Sequence, residues 1–146
     1  MSLEEGLFDV LARHSVPCTI AVIPFSVDPA RKADGHVPLN ATKVEALRRF
    51  AELLASMGCK LTAEPDGIAI CGGDLRAGEF DMGDMPDMVP TLAVVAAFAV
   101  GTTVIKNVSH LKSKESDRLA AVVCELGKMG VDARCSDDEL IVTGGA

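Results

Sequence analysis

The stretches VEALRRFAELLASMGCKLTAEPDGIAICGG (residues 44–73) and SDRLAAVVCELGKMGVDARCSDDELIVTGG (residues 116–145) share one pattern, from which the architecture of the chain can be worked out. A shift of 72 positions lays the first stretch over the second without a gap and puts Met57-Gly58 on Met129-Gly130. This period is longer than the roughly 20 to 50 residues of a solenoid repeat. The pattern therefore predicts two related subdomains.

Each copy of the pattern predicts a helix followed by a β-hairpin. Apolar residues recur at spacings of three and four, for example from Leu119 to Leu126 in the second copy, as in a helix that buries one face. The glycine after each run suits the left-handed conformation that often ends a helix. Residues 64–67 and 136–139 are rich in turn formers and separate short alternating strands, which is typical of hairpins.

The segment between the copies supplies a further strand, helix and strand. Residues 79–101 lead through Pro86, which is tolerated in a first helical turn, into an apolar helix that we expect to be buried and to end at Gly101. Residues 102–108 then predict a strand. The order over about residues 79–143 is strand, helix, strand, helix and two hairpin strands, a βαβαββ unit.

The part of the chain before the first copy lacks this order. Residues 18–25 predict a strand and residues 26–39 a loop, so the first copy is incomplete. We therefore predict an α/β fold in three parts: an atypical N-terminal strand and loop segment (residues 1–40), a partial subdomain made of a helix plus a hairpin (residues 41–78) and a complete βαβαββ subdomain (residues 79–146).

Composition and charge exclude several classes of function. The chain has 49% hydrophobic and 24% charged residues, as in an ordinary globular protein. Its net charge of −7 repels phosphate, which argues against a general affinity for nucleic acid or for an anionic membrane. Its longest apolar run, residues 92–100, is shorter than the about 20 residues that a membrane span requires.

The cysteines and histidines predict neither disulfides nor a metal site. Five cysteines form no C-x-x-C pair, and no secretory signal accompanies them, which is typical of reduced thiols in the cytosol. The three histidines lie far apart, and none has a cysteine at zinc-ligand spacing. We therefore expect a cytoplasmic protein without a bound metal.

A charged segment, KSKESDR (residues 112–118), raises the question of function. In one interpretation it is a solvated helix start, where Glu115 and Asp117 in the first turn suit the positive end of the helix dipole. That interpretation leaves Lys114 and Arg118, four residues apart on one predicted helix face, at the end where cations are least favourable. In the other interpretation, the lysine and arginine bind an anionic substrate.

A second charged cluster, made of Asp81, Asp84 and Asp87, precedes the apolar helix. In a parallel α/β arrangement both clusters would follow strand ends, where functional sites gather. Three aspartates ahead of a helix are ordinary capping residues, but a carboxylate ionised by a helix N-terminus is also a ready general base. From the residues alone, both interpretations stay open.

Four motifs stand in one order along the chain: Pro86-Asp87, PTLA (residues 90–93), GTT (residues 101–103) and KESDR (residues 114–118). In order and spacing they resemble the C-terminal domain of the EPSP synthase family, the 5-enolpyruvylshikimate-3-phosphate synthases or 3-phosphoshikimate 1-carboxyvinyltransferases. The resemblance extends over about residues 44–145. Several spaced motifs are far more specific than one short motif.

The resemblance implies a reaction without metal or cofactor, in which the enolpyruvyl group of phosphoenolpyruvate passes to the 5-hydroxyl of shikimate 3-phosphate, in the shikimate pathway to aromatic amino acids. It implies that Asp87 takes the hydroxyl proton and that Glu115 handles proton transfer at the enolpyruvyl methylene. Lys114 would lie between the two substrates, and Arg118 would hold the phosphoenolpyruvate carboxylate. His110 falls where the family often has an asparagine that touches the shikimate phosphate.

The same resemblance implies a fold of two domains, each with three βαβαββ units, and substrates bound between the domains. This chain would then hold one complete subdomain of the enolpyruvyl transferase type and part of another. It is much shorter than family members, and it stops just after a predicted strand. We therefore expect an excised fragment that lacks turnover by itself, and self-association through exposed apolar surface is a further expectation.

Two alternative functions remain. The first is a piece of the sister enzyme that acts on UDP-N-acetylglucosamine, which shares the fold and the chemistry, although the KESDR motif favours the shikimate branch. The second is a non-catalytic α/β binding module that kept the scaffold.

Overall fold

The computed structural model describes residues 19–24, 41–64, 67–112 and 117–145. They divide into two compact units, a first unit within residues 18–74 and a second unit within residues 75–146. Both units are mixtures of helices and strands, in agreement with the predicted α/β class. Within the described ranges, none of the helices has the length and apolar character that a membrane crossing requires.

The first unit consists of strand β1 (Thr19–Pro24), helix α1 (Ala41–Ser56), strand β2 (Lys60–Glu64) and strand β3 (Gly67–Cys71). Its sheet has the order β1-β3-β2, and both pairings are antiparallel. Gly58 follows α1 with a φ of 115°, a conformation in which a side chain would be strained. The buried apolar side chains lie on α1, just after it and on β3: Phe50, Ala51, Leu54, Met57, Cys59 and Ile70.

The second unit has eight described elements, which follow one another along the chain. They are strand β4 (Glu79–Asp81), a 3₁₀ turn (Pro86–Met88), helix α2 (Val89–Phe98), strand β5 (Gly101–Lys106), a 3₁₀ turn (Ser109–Leu111), helix α3 (Arg118–Lys128), strand β6 (Asp132–Cys135) and strand β7 (Glu139–Gly144). The sheet order is β4-β5-β7-β6. β4 and β5 are parallel, and the other two pairings are antiparallel.

The core of the second unit lies between its sheet and its two helices. Alternate residues of β5 and β7 are buried, among them Ile105 and Leu140, because successive side chains of a strand point to opposite faces of the sheet. Helix α2 packs on β7, and α3 packs on β6 and on α2. Leu92 of α2 and Leu119 of α3 are completely buried in this layer. The other face of the sheet carries the exposed residues Thr102 and Thr143 together with the half-buried residues Val104 and Ile141.

The two hairpins are related by the shift of 72 positions that the sequence shows. Lys60 pairs with Cys71 in the first unit, and Asp132 pairs with Thr143 in the second. The helices before the hairpins end at Ser56 and Lys128, which differ by the same shift. Gly130, like Gly58, has a positive φ, of 82°, so the prediction of a left-handed glycine after each helix is confirmed.

Two boundaries predicted from the sequence were wrong. Helix α2 ends at Phe98 and not at Gly101, because Ala99 is extended and Val100 already forms a bridge with Arg76. Gly101 is instead the first residue of β5, and it has a φ of 110°. That strand ends at Lys106 and not at residue 108, because Asn107 turns the chain with a φ of 60°. The predicted loop at residues 26–39 lies outside the described residues.

Candidate active site

The candidate site lies at the carboxyl ends of two parallel strands. The last residues of β4 and β5, Asp81 and Lys106, are partners in the pairing of these strands. Residues 82–88 leave β4, and residues 107–112 leave β5, at the same edge of the sheet. Side chains of the two segments can therefore meet there, as they do in other α/β proteins with neighbouring parallel strands.

Buried apolar residues anchor both segments. Met82 and Met85 are buried in the segment after β4, and Val108 and Leu111 are buried in the segment after β5. Met82 also extends the parallel pairing, because its backbone N–H donates to the carbonyl of Lys106 at 3.0 Å. Each segment is thus a turn tied to the core, and such a turn holds its polar residues in defined places.

An ion pair joins the starts of the two helices that follow these segments. Asp87 lies in the 3₁₀ turn before α2, and Arg118 is the first residue of α3. Nη1 of Arg118 is 3.4 Å from Oδ1 of Asp87, across 31 positions of sequence. The side chain of Asp87 is 79% exposed and that of Arg118 38%, so the pair adds little to the free energy of unfolding. Such a long and exposed contact leaves both groups available to a ligand.

The position of Arg118 bears on the two interpretations of the charged segment. Asp117 is the N-cap of α3, and its Oδ1 accepts a hydrogen bond from the backbone N–H of Ala120 at 3.0 Å. Arg118 therefore begins the helix at the end where a cation is least favourable. Its partner is Asp87 and not a neighbour in sequence. A solvated helix start by itself does not account for this long-range contact.

The prediction that Lys114 and Arg118 share one helix face falls partly outside the described residues, since α3 begins at Arg118 with Asp117 as its N-cap. Lys114 and Glu115 themselves lie outside the described residues. Of the four residues expected in one cleft, the structure thus describes Asp87 and Arg118, and it brings these two into contact.

His110 is exposed in the 3₁₀ turn after β5. It lies on the same segment that leads from β5 toward Arg118, but within the described part of the chain it has no hydrogen bond or ion pair that would tie it to Asp87. Among the described residues, no group of three or more histidine, cysteine, aspartate or glutamate side chains could hold a metal ion.

Asn107 is a residue of this site that the sequence analysis missed. Its side-chain amide donates to Oδ2 of Asp81 at 2.6 Å, and the backbone N–H of Gly83 donates to Oδ1 of the same carboxylate at 3.0 Å. The carboxylate therefore bridges the exits of the two strands. An available signal was the asparagine directly after an apolar strand, since asparagine adopts positive φ more readily than most residues.

Lys106 adds a fixed positive charge at the end of β5. Its ammonium group donates to Oε1 of Glu79 at 2.6 Å. This hydrogen bond raises the pKa of Lys106 above its ordinary value, and the charges of Glu79 and Glu139 add to the effect. Glu79 already pairs with this ammonium group. Lys106 is therefore not one of the groups expected to bind a substrate.

A family model for EPSP synthase (3-phosphoshikimate 1-carboxyvinyltransferase) matches residues 30–146. The match begins within the segment that we expected to be atypical. Among curated proteins, a 3-phosphoshikimate 1-carboxyvinyltransferase from Syntrophobacter fumaroxidans is 50% identical over 110 residues, which cover 75% of this chain and 26% of that protein. One of the same name from Methanoculleus marisnigri is 42% identical over 106 residues, 72% of this chain and 25% of the relative.

Solved structures of EPSP synthases also match this chain. An EPSP synthase from Acinetobacter baumannii superposes with a TM-score of 0.56 at 30% identity, over 65% of this chain and 24% of that one. A second structure of an EPSP synthase from the same organism gives a TM-score of 0.52 at 27% identity. The chain spans about a quarter of the length of the relatives it matches.

Proposed function

The chain belongs to the EPSP synthase (3-phosphoshikimate 1-carboxyvinyltransferase) family, and from this premise we propose that it supplies part of the active site for enolpyruvyl transfer. The reaction is the transfer of the enolpyruvyl group of phosphoenolpyruvate to the 5-hydroxyl of shikimate 3-phosphate. The observation that carries the proposal is the contact between Asp87 and Arg118 at the ends of two parallel strands.

The chemistry assigns different tasks to the two members of this pair. In the addition step the 5-hydroxyl oxygen bonds to C2 of phosphoenolpyruvate, C3 receives a proton, and Asp87 takes the hydroxyl proton. In the elimination step the bond from C2 to the phosphate oxygen breaks, and C3 gives up a proton. Arg118 holds the carboxylate of phosphoenolpyruvate, a task that suits the planar fork of donors of a guanidinium.

The geometry of the pair supports this division of tasks. At 3.4 Å the contact is longer than a strong charge-assisted hydrogen bond, which is about 2.7 to 2.9 Å. A substrate carboxylate that makes two short bonds to Arg118 can therefore replace Asp87 as its partner. Asp87 is then free to accept a proton from a hydroxyl group held beside it.

Three further residues of this chain belong to the proposed site. Lys114 lies between the two anionic substrates as a cation, and Glu115 transfers the proton at C3 of phosphoenolpyruvate. Both belong to the same KESDR motif as Arg118. His110 contacts the phosphate of shikimate 3-phosphate, and its exposed position on the segment after β5 leaves it accessible to such a ligand.

We also propose that the two units are one complete and one partial subdomain of the enolpyruvyl transferase type. Support comes from the matching registers of the hairpins and from the sheet orders, since β1-β3-β2 follows the same antiparallel order as β5-β7-β6.

The proposal also includes the cell compartment and the behaviour of the chain by itself. Within the described part of the chain, Cys59, Cys71, Cys124 and Cys135 are free thiols, which supports a reducing cytoplasm. Val94 and Val100 have exposed fractions of 50% and 71%, which supports self-association through apolar surface. Sedimentation velocity over a range of concentrations tests this, and a monomer throughout would exclude it.

A hybrid enzyme tests the catalytic proposal. The matching residues of this chain replace their 110 counterparts in the Syntrophobacter fumaroxidans relative, and phosphate release is measured with both substrates. We expect turnover by the hybrid and a loss of about 10²-fold or more with Asp87→Asn, since a general base contributes about 10² to 10⁴-fold. The matched control is Asp132→Asn, an exposed aspartate of β6. An equal rate for both variants would overturn the role of Asp87.

The 146-residue chain by itself should give no phosphate release. Two anionic substrates need cationic groups that converge on them from several sides, and a part of a site loses both proximity and charge stabilisation. Turnover near that of a complete enzyme would contradict this expectation.

A further inference from the structure

We propose that Asp81 and Asn107 form a positioning pair that holds Asp87 and Arg118 at their separation. The inference rests on the proposed function, because it gives that separation a catalytic meaning. The pair itself touches no substrate in this proposal. It acts through the two segments that carry the reacting groups.

The pair lies at the start of the two stretches of chain that lead from the parallel strands β4 and β5 toward Asp87 and Arg118. Asp81 ends β4, six residues before Asp87, and Asn107 follows β5, eleven residues before Arg118. The hydrogen bond of 2.6 Å between their side chains joins these routes at their origin. The second oxygen of Asp81 accepts from the N–H of Gly83, so the same carboxylate also fixes the first turn of the segment that leads to Asp87.

The two segments approach closely where the pair lies. A Cβ atom on Gly83 would lie 3.3 Å from the Cβ of Asn107 and 3.3 Å from Oδ1 of Asp81. A side chain at Gly83 would therefore crowd Asn107 and Asp81, which shows that the two segments lie side by side where the bond between Asp81 and Asn107 forms. A change in that bond acts on both segments at this close approach.

The backbone of Asn107 points to a role for its side chain. Among the described residues it is the one non-glycine residue with a positive φ, of 60°. Glycine adopts this conformation most readily, and asparagine adopts it more readily than most other residues with a side chain. Asparagine therefore suits the turn and, unlike glycine, also provides the amide that bonds Asp81.

A purely stabilising role predicts a different response to substitution. Asn107→Gly keeps the backbone conformation at no steric cost and removes the side-chain amide. Asn107→Asp keeps the size of the side chain but replaces the amide donor with a second carboxylate, which repels Asp81. If the side chain matters only for the turn, Asn107→Gly behaves like the unaltered protein. If the hydrogen bond positions the site, both variants disturb the ion pair while the chain stays folded.

Nuclear magnetic resonance of the 146-residue chain provides a direct readout. The Nε–Hε signal of Arg118 is recorded in the unaltered chain and in Asp87→Asn, which defines the displacement caused by loss of the contact. We expect Asn107→Asp and Asn107→Gly to move this signal by most of that displacement. The matched control is Glu79→Gln on the same strand, which removes an exposed ion pair with Lys106 and should leave the Arg118 signal in place.

Kinetics in the hybrid enzyme provide the second readout. Asn107→Asp should lower kcat by about tenfold to a hundredfold, because a misplacement of about 1 Å can cost 10²-fold. KM for phosphoenolpyruvate should change by less than about threefold, since Arg118 remains present. Glu79→Gln should keep both constants near those of the unaltered hybrid.

The outcomes separate this inference from the proposed function. An unaltered hybrid without turnover would count against the proposed function, and the resonance measurement would still decide on the pair. An Arg118 signal that stays in place in both Asn107 variants would overturn the positioning role, whatever the hybrid does. Displaced signals together with an unchanged kcat would also overturn it, because the separation would then have no effect on the reaction.

Discussion

Gly144, the last residue of β7, packs against the end of α2. A Cβ atom at this position would lie 2.2 Å from the carbonyl oxygen of Ala96, 2.6 Å from that of Ala99 and 2.7 Å from that of Ala97. All three are backbone atoms near the end of the helix, and they cannot rotate away as a side chain could. The absence of a side chain at residue 144 therefore sets how closely the helix approaches the strand.

Gly144→Ala should lower the free energy of unfolding by about 2 kcal/mol or more, because overpacking a rigid contact costs about 1 to 3 kcal/mol. Gly127→Ala is the matched control, since Gly127 lies within α3 and a Cβ there meets nothing within 4 Å. The control should raise stability by about 0.5 to 1 kcal/mol. Urea denaturation measures both, and a Gly144→Ala variant as stable as the unaltered chain would show that the helix can shift.

Thr103 carries a buried hydroxyl that has no hydrogen-bond partner among the described residues. Its side chain lies on the buried face of β5, with an exposed fraction of 0%. An unsatisfied buried polar group costs about 1 to 3 kcal/mol.

Thr103→Val should therefore stabilise the chain by about 1 kcal/mol, since a methyl group replaces the hydroxyl at nearly the same size. Its neighbour gives the control: Thr102 is exposed, and its hydroxyl lies 3.2 Å from that of Thr143, so Thr102→Val should be neutral or slightly destabilising. Thermal unfolding of both variants distinguishes them. A lower midpoint for Thr103→Val would mean that the hydroxyl has a partner in solution.

The start of α3 contains both a stabilising N-cap residue and a residue of the candidate site. Asp117 is the N-cap, and its carboxylate satisfies one of the free N–H groups of the first turn. The next residue, Arg118, belongs to the candidate site. The conformation of this helix start therefore determines where the guanidinium group of Arg118 lies.

Asp117→Ala should cost about 1 kcal/mol of unfolding free energy, whereas Asp117→Asn should recover most of the loss, since asparagine also caps helices well. Glu125→Ala is the control within the same helix. It removes an exposed ion pair with Lys128 at 2.7 Å, which should be worth about 0.5 kcal/mol or less. Equal losses for the two alanine variants would mean that the cap contributes nothing specific.

The sequence was sufficient for elements whose signal is periodic or repeated. The hairpins β2-β3 and β6-β7 and the helices before them follow from the shift of 72 positions, because both copies obey the same alternation and end in the same glycines. The contact between Asp87 and Arg118 could be expected only in outline. It depends on the parallel pairing of β4 with β5, and β4 has just three residues, too few for a periodic pattern.

The details that escaped prediction are those that a local pattern does not contain. The end of β5 is set by the φ of Asn107 and by its bond to Asp81, which is 26 positions away in sequence. The end of α2 is set by the bridge between Val100 and Arg76. Both involve residues far apart in sequence, and tertiary context overrides local preference.

The cysteines of the two units differ in burial, and this difference predicts how fast each thiol reacts. Cys59 is buried in the first unit, and this burial raises the pKa of its thiol above the ordinary value. Cys71 in the same unit, and Cys124 and Cys135 in the second, are exposed. The thiolate is the reactive form, so the raised pKa and the lack of access both slow the reaction of Cys59.

Alkylation of the folded chain at pH 7.5, followed by mass spectrometry of peptides, should therefore label Cys71, Cys124 and Cys135 well before Cys59. Raising the pH to 9 should increase the rate at Cys59, since a larger share of its thiol is then ionised. In a denaturant all of these cysteines should react at similar rates, which is the control. Labelling of Cys59 as fast as Cys71 in the folded chain would contradict its burial.

The outer strands of the second sheet are short, since β4 has three residues and β6 has four. Their length affects how the chain aggregates at high concentration. Short outer strands offer few unpaired amide and carbonyl groups for another copy to extend. β6 also carries Asp132 and Arg134, whose charges discourage stacking. Amyloid-like fibres should therefore grow poorly from this sheet, and precipitates that do form should lack the binding of thioflavin T that marks cross-β order.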